Sequence, residues 1–255
     1  MTPLDQAHIR AETDGTDTAR LAFFNALAEA ELHLLLDAED GETVAPTIAP
    51  VDGVDYALAF DLPDRLTAFA GVAAATATLS GRRLAALLAA EGLGLALNLD
   101  EAPSAQLLPP DAIAWLAETL ARAPAETEAR IAEIAPPGAL PENLITALDG
   151  KLSLAAGLAA QAYLARATYA DGTRGHVLAF IDPLPGAEAD LARAVSEALV
   201  FSGLEAGQID VTFLRAAQTH AASLARHGLR IDLPKPPEPP RQMAPGTGDA
   251  PPRLR

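Results

Sequence analysis

Residues 161–181 read QAYLARATYADGTRGHVLAFI. Two alternating apolar runs, Gln161–Tyr169 and Gly175–Ile181, flank Asp171-Gly172. Asp-Gly supplies the left-handed backbone that a tight hairpin turn requires, so the stretch predicts an antiparallel pair. Asp52-Gly53 repeats the signal in the first half, between expected strands at Thr43–Ile48 and Val54–Phe60. Helical periods occur beside hairpins in both halves, which predicts an α+β fold rather than a purely doubly wound sheet.

Downstream of residue 181, Leu191, Val195, Ala198 and Leu199 mark one face of a helix over Ala187–Phe201, ended by Gly203. A strand at Ile209–Leu214, a helix at Ala216–His227 stopped by Gly228, and a short strand at Leu229–Leu233 complete this half, which opens with a helix at Glu142–Leu148. In the first half, Asp17 is placed to cap a helix carrying Ala19, Phe23, Leu27 and Ala30. A buried strand follows at Leu32–Leu36, with a turn at Asp37–Glu42. A helix over Pro63–Phe69 and a strand at Thr76–Leu79 come next. Ser80 caps a helix that turns Leu84, Leu87 and Leu88 inward and stops at Gly92. Leu93–Leu99 reads as a central strand, and Pro110 and Asp111 open a helix with Ile113, Leu116 and Leu120 on its apolar face.

Pro124, Pro136-Pro137-Gly138 and Pro141 interrupt this order. The expected plan is an irregular N-terminus at 1–15, two mixed helix–sheet domains at 16–123 and 136–233, and a disordered Pro-rich tail at 234–255. Pro236–Pro240 would form a polyproline II rod, either solvated or used for docking.

The chain of 255 residues carries 34 acidic against 18 basic residues, a net charge of −16. That field repels phosphate backbones, and the densest basic site of the folded part is the pair Arg82-Arg83. Nucleic acid is therefore not an expected partner. With no Cys, disulfides, thiolate nucleophiles and cysteine-held metals are excluded. Met1-Thr2-Pro3-Leu4-Asp5 lacks the basic and apolar regions of a signal peptide, and uncharged runs such as Leu66–Gly81 are short of a bilayer span. The expectation is a cytoplasmic protein without a membrane partner. Arg far outnumbers Lys, which occurs only at Lys151 and Lys235, as suits a GC-rich bacterial genome.

Three stretches carry a resemblance. Phe23-Phe24-Asn25-Ala26-Leu27-Ala28-Glu29-Ala30-Glu31-Leu32 is the first. Asp52–Phe60 running on to Asp64-Arg65-Leu66 is the second, and Leu79-Ser80-Gly81-Arg82-Arg83-Leu84 with Gly94-Leu95-Ala96-Leu97-Asn98-Leu99 is the third and most specific. Over Ala19–Leu120 the chain resembles the SseB family, named for enhanced serine sensitivity in bacteria. The second half is more weakly similar to that family's C-terminal domain, through Ala162-Tyr163-Leu164 and Ile209-Asp210-Val211. A secreted virulence component of the same name is unrelated. The resemblance implies a regulatory or binding role in bacterial amino-acid physiology and brings no catalytic residues with it. Where the family often shows Phe-Thr-Ser, this chain has Phe60-Asp61-Leu62, which removes hydroxyl groups there.

Local motifs add no chemistry. Ser80 and Ser202 lack the Gly-x-Ser-x-Gly elbow and read as helix-terminal residues. Lys151 follows Gly150 without the remainder of a P-loop, and Gly92-Leu93-Gly94 lacks the third glycine of a dinucleotide turn. His220 and His227 lie about 10 Å apart along one helix, too far to share an ion. His8, His33 and His176 have no ligand at chelating spacing, and the loop Asp37–Glu42 has its Gly41 out of place for calcium. Asp61/Asp64 and Glu126/Glu128 read as solvated acidic pairs, and Trp115 as core packing or edge cover. No catalytic, cofactor-binding or metal-ligating residue is assigned. The leading expectation is a non-enzymatic binding or regulatory protein; the alternative is an enzyme or small-molecule sensor with its site in the groove between the halves.

Overall fold

The computed structural model describes residues 1–37, 45–71, 74–100, 102–124, 129–203 and 209–234. The turn expected at Asp37–Glu42 and the tail beyond Pro234 lie mostly outside those residues, as do Glu126 and Glu128.

The chain opens with a helix at Pro3–Asp14 (α1), although residues 1–15 read as irregular. Its cause is local. Thr2 Oγ1 accepts from the Asp5 amide, the Asp5 carboxylate accepts from the Thr2 amide, Pro3 sits in the first turn, and Gly15 closes the far end at φ 62°. Asp17–Glu29 (α2) follows, capped by Thr16 rather than Asp17. Strands Glu31–Asp37 (β1), Ala45–Pro46 (β2), Ile48–Val51 (β3) and Val54–Phe60 (β4) come next. The turn Asp52-Gly53, with φ of 50° and 80°, closes the β3–β4 hairpin.

Pro63–Ala70 (α3), Ala75–Ser80 (β5), Gly81–Glu91 (α4), Gly94–Leu97 (β6), Gln106–Leu108 (β7) and Pro110–Ala121 (α5) complete the first half. The sheet runs β2-β1-β4-β6-β7, with β3 on β4 and β5 on β1. Among the described residues of this sheet, only β4 and β6 pair in parallel. Both are buried on two faces: Ala57, Ala59, Leu95 and Leu97 join one core, and Tyr56, Leu58, Phe60 and Ala96 join the other.

The second half begins with Ile131–Ala135 (β8), which was read as part of the break between domains. Glu142–Ser153 (α6), Gln161–Tyr169 (β9), Arg174–Ile181 (β10), Glu188–Phe201 (α7), Ile209–Leu214 (β11), Thr219–His227 (α8) and Leu229–Ile231 (β12) follow. The sheet order is β11-β10-β9-β12, with β8 on β9. The β9–β10 hairpin forms as its Asp-Gly turn predicts, and α7 carries the chain over to the parallel strand β11. Alternate residues of β9 and β10 again feed opposite cores: Leu164, Leu178 and Phe180 on one side, Ala165, Val177 and Ala179 on the other.

The halves meet where α2 lies against α7. Phe201, at the end of α7, is buried in the core of the first half with Leu27, Phe23 and Leu84. The approach of α4 to α2 depends on Gly81: a Cβ there would fall 1.7 Å from the Leu27 carbonyl oxygen. The class is α+β.

Candidate functional site

Among the described residues, two clusters of charged side chains and two surface grooves stand out. The first cluster stands at the carboxyl ends of the parallel pair β4–β6, where open sheets commonly receive ligands. Here the chain fills the place itself. Asp5 of α1 is fully buried. Arg65 of α3 donates to both its oxygens, Nη1 to Oδ1 at 3.0 Å and Nη2 to Oδ2 at 2.6 Å. The Ser104 hydroxyl donates to Oδ1 at 2.6 Å, and the Thr2 amide to Oδ2 at 2.9 Å.

Asp61, directly after β4, accepts from Arg65 Nη1 at 2.7 Å and from the Thr2 hydroxyl at 2.6 Å. Asn98, directly after β6 and at φ 47°, donates to Ser104 at 2.8 Å and accepts from the Asp61 amide at 2.9 Å. Burial by itself would raise the Asp5 carboxyl, but the bonds from Arg65, Ser104 and Thr2 outweigh it and hold it well below the usual carboxylate range. This carboxylate is an ion held by donors. It is neither a free base nor an acid. The reading of Asp61/Asp64 as a solvated pair fails for Asp61, whose carboxylate is almost wholly enclosed against Arg65.

The second cluster joins the halves. Lys151 of α6 is 5% exposed and lies between Glu197 of α7 at 3.0 Å and Glu29 of α2 at 2.8 Å. Its ammonium also sits 5.4 Å from the centroid of the Phe201 ring. Glu197 takes a further bond from Arg82 of α4, Nη2 to Oε2 at 2.8 Å. Burial would raise Glu197, yet Arg82 and Lys151 together hold it below its ordinary value. Its companion groove of about 400 Å³ is lined by Ser80, Arg82, Leu154, Leu158, Asp190 and Arg193, among others.

The second groove, about 340 Å³, runs between α2 and α5 and is lined by Asp17, Arg20, Leu21, Phe24, Ala112 and Trp115. Trp115 meets Phe24 edge-on at 5.1 Å and stays 36% exposed. It is thus edge cover rather than core packing.

The remaining candidates fall apart as chemistry. Ser80 caps α4 by accepting from the Arg83 amide at 3.3 Å, and buried Ser202 donates to the Leu199 carbonyl at 2.9 Å. His33 bonds Thr78, His176 bonds the Pro137 carbonyl, and His8 packs edge-on against Phe23. Among the described residues no group of three or more His, Asp or Glu is placed to hold a metal ion. Outside the clusters, the Tyr169 hydroxyl donates to Asp210; burial and that carboxylate push the phenol above its usual value. The sequence assigns Asp5 no role, and it offers Lys151 only as a P-loop lysine without the rest of the motif. The signal for Asp5 was the capping pattern Thr2-Pro3-Leu4-Asp5. That for Lys151 was its place on the apolar face Leu144, Leu148, Leu152.

Residues 4–115 match the family model of the SseB protein N-terminal domain. Over those residues the chain is similar to the SseB N-terminal domain. The matched range runs from α1 to the middle of α5, so the SseB domain includes the helix that brings Asp5 to Arg65. Leu21, Phe24 and Trp115 of the aromatic groove, and Glu29 and Arg82 of the junction, also fall inside it. No curated protein and no solved structure matches the chain.

Proposed function

We propose that this chain is a non-enzymatic, cytoplasmic binding or regulatory protein of the SseB type, built of two domains with boundaries near residues 16–123 and 136–233. One observation carries the reading: the converging charges are spent on one another. The Lys151 ammonium is held by two carboxylates and the Asp5 carboxylate by four donated bonds. A general acid, base or nucleophile needs a group whose proton or lone pair is available to a substrate.

The weaker likeness of the second half to the SseB C-terminal domain belongs to this reading, as does a link to bacterial serine physiology. So does the absence of nucleic acid among its partners, which the charge of −16 supports. Among the described residues no helix is long and apolar enough to cross a membrane. The groove at the junction favours a second reading, a small-molecule sensor, because Arg193, Ser80 and Leu158 line open space there.

A screen with ester, phosphate-ester and nucleotide substrates separates these readings from an enzyme. No turnover is expected to survive stringent purification. Turnover abolished by Arg193→Ala or Ser80→Ala, with the circular dichroism unchanged, would overturn the non-enzymatic reading. A saturable rise in melting temperature with a small metabolite, lost in Arg193→Ala, would shift the conclusion to the sensor.

A further inference from the structure

We propose that the groove at the junction of the halves binds a small zwitterion with an aliphatic side chain, of the size of an α-amino acid. Arg82 and Arg193 hold its carboxylate, Glu29 and Asp190 its ammonium, and Leu154 and Leu158 its side chain. The proposal rests on the second reading above, a small-molecule sensor, and gives that reading a ligand class.

The lining divides into charges that are spent and charges that are not. Lys151 and Glu197 are its buried members, 5% and 6% exposed, and they bond to each other. The four outer charges keep bonding capacity. Among the described residues no hydrogen bond engages the Arg193 guanidinium or the Asp190 carboxylate, which approach each other only to 4.0 Å at 45% and 68% exposure. So exposed a pair is worth little and gives way readily to a ligand. Among the described residues Arg82 engages only Nη2, on Glu197, and Glu29 only Oε1, on Lys151.

This balance selects the ligand. Three cations and three carboxylates line one groove, so a simple anion or a simple cation meets repulsion there as well as attraction. A molecule that carries both charges one carbon apart satisfies the two unspent guanidiniums and the two unspent carboxylates together, through charge-assisted hydrogen bonds. Both halves take part. Asp190, Arg193 and Ala194 lie three and four residues apart on one face of α7, while Glu29, Ser80 and Arg82 come from the first half.

The rest of the lining is apolar. Leu154, at the end of α6, is 68% exposed, and Ala155, Leu158, Ala28 and Ala194 border the same space. An aliphatic side chain laid on them gains about fourfold in affinity for each methylene removed from water. The volume of about 400 Å³ lies at the small end of ligand sites, which run from about 300 to 1,000 Å³. It suits an amino acid better than a nucleotide, whose phosphates would also add negative charge that the lining leaves unbalanced.

The first experiment follows the melting temperature of the full chain with L-leucine, isocaproate, isopentylamine and glycine as probes. L-Leucine is expected to raise it saturably. The other three lack in turn the amine, the carboxylate and the side chain, and each is expected to need at least about tenfold higher concentration. No rise with millimolar L-leucine, or an equal rise with isocaproate or isopentylamine, would overturn the proposal. A rise that depends on Arg193 but comes only from a metabolite of single charge would overturn the zwitterion and leave the sensor reading standing. The second experiment uses Arg193→Gln and Leu154→Ser, both at exposed positions and both expected to melt like the parent without ligand. Arg193→Gln should weaken L-leucine at least about tenfold, and Leu154→Ser should weaken L-leucine while leaving glycine unchanged. Unaltered L-leucine binding in Arg193→Gln would overturn the assignment to this groove, and equal losses of both ligands in Leu154→Ser would overturn the side-chain contact.

Discussion

The two buried ionic clusters use the same chemistry to different ends. Around Asp5 the carboxylate is fully enclosed, its side-chain partners Arg65 and Ser104 lie 60 and 99 residues away in sequence, and these and the local Thr2 amide all belong to the first half. Around Lys151 the cation is enclosed, but two of its surrounding groups, Glu29 and Arg82, reach toward solvent at the mouth of a groove, and the partners come from both halves. The first cluster fastens a helix onto its own sheet. The second fastens one sheet unit to another and is the softer of the two. A buried ion left without its partner is costly whichever cluster it belongs to, so single substitutions can rank them.

The largest effect is expected from Arg65→Met. It strands the Asp5 carboxylate and should cost about 3–5 kcal/mol. Urea unfolding of the full chain would measure it, and a loss below about 1 kcal/mol, the scale of an exposed pair, would mean that α1 is dispensable. Next comes acid. Asp5 and Glu197 are both held below their ordinary values, so the unfolded chain takes up protons first as pH falls. The stability they contribute is complete above the unfolded carboxylate value, near about 4, and is lost as pH drops through the folded values. A melting temperature level from neutral pH to about 5 and falling below about 4 is expected, with the fall reduced in Asp5→Asn. A profile identical in that variant would remove Asp5 from the account. Smaller again, Ser104→Ala should cost about 1–2 kcal/mol, because it withdraws one donor from Asp5 and the acceptor of Asn98. Smallest is Trp115→Ala, expected to cost about 1 kcal/mol or less, since the indole is only partly covered.

Much of the fold was legible where backbone chemistry forces the outcome. Asp52-Gly53 and Asp171-Gly172 both turn hairpins, Ser80 and Gly92 bound α4 as expected, and Pro110 opens α5. The misreadings have physical causes. The polar composition of α1 hid a helix that is held by caps and by burial of Leu4, Asp5 and Ala11 rather than by a broad apolar stripe. In β8 an irregularity between Ile131 and Glu133 breaks the alternation of two, and flanking prolines made the stretch look like linker. The clusters were less legible still. An acidic residue in a chain with 34 of them carries no mark of burial, and Asp5 meets Arg65 only through the fold. Lys151 was visible in principle, one residue before Leu152 on a face with Leu144 and Leu148, but a lysine there reads equally as a solvated edge.

The most direct test of the claim that these charges hold the structure is a double-mutant cycle on the junction. Glu197→Gln, Lys151→Met and the pair of them would be compared by urea unfolding in the full chain. If the two side chains stabilise the joined halves by bonding to each other, the coupling energy should be about 2 kcal/mol, and the double variant should be more stable than the sum of the single losses implies. Strictly additive losses, with a coupling near zero, would contradict that role and return Lys151 and Glu197 to the list of groups available for chemistry.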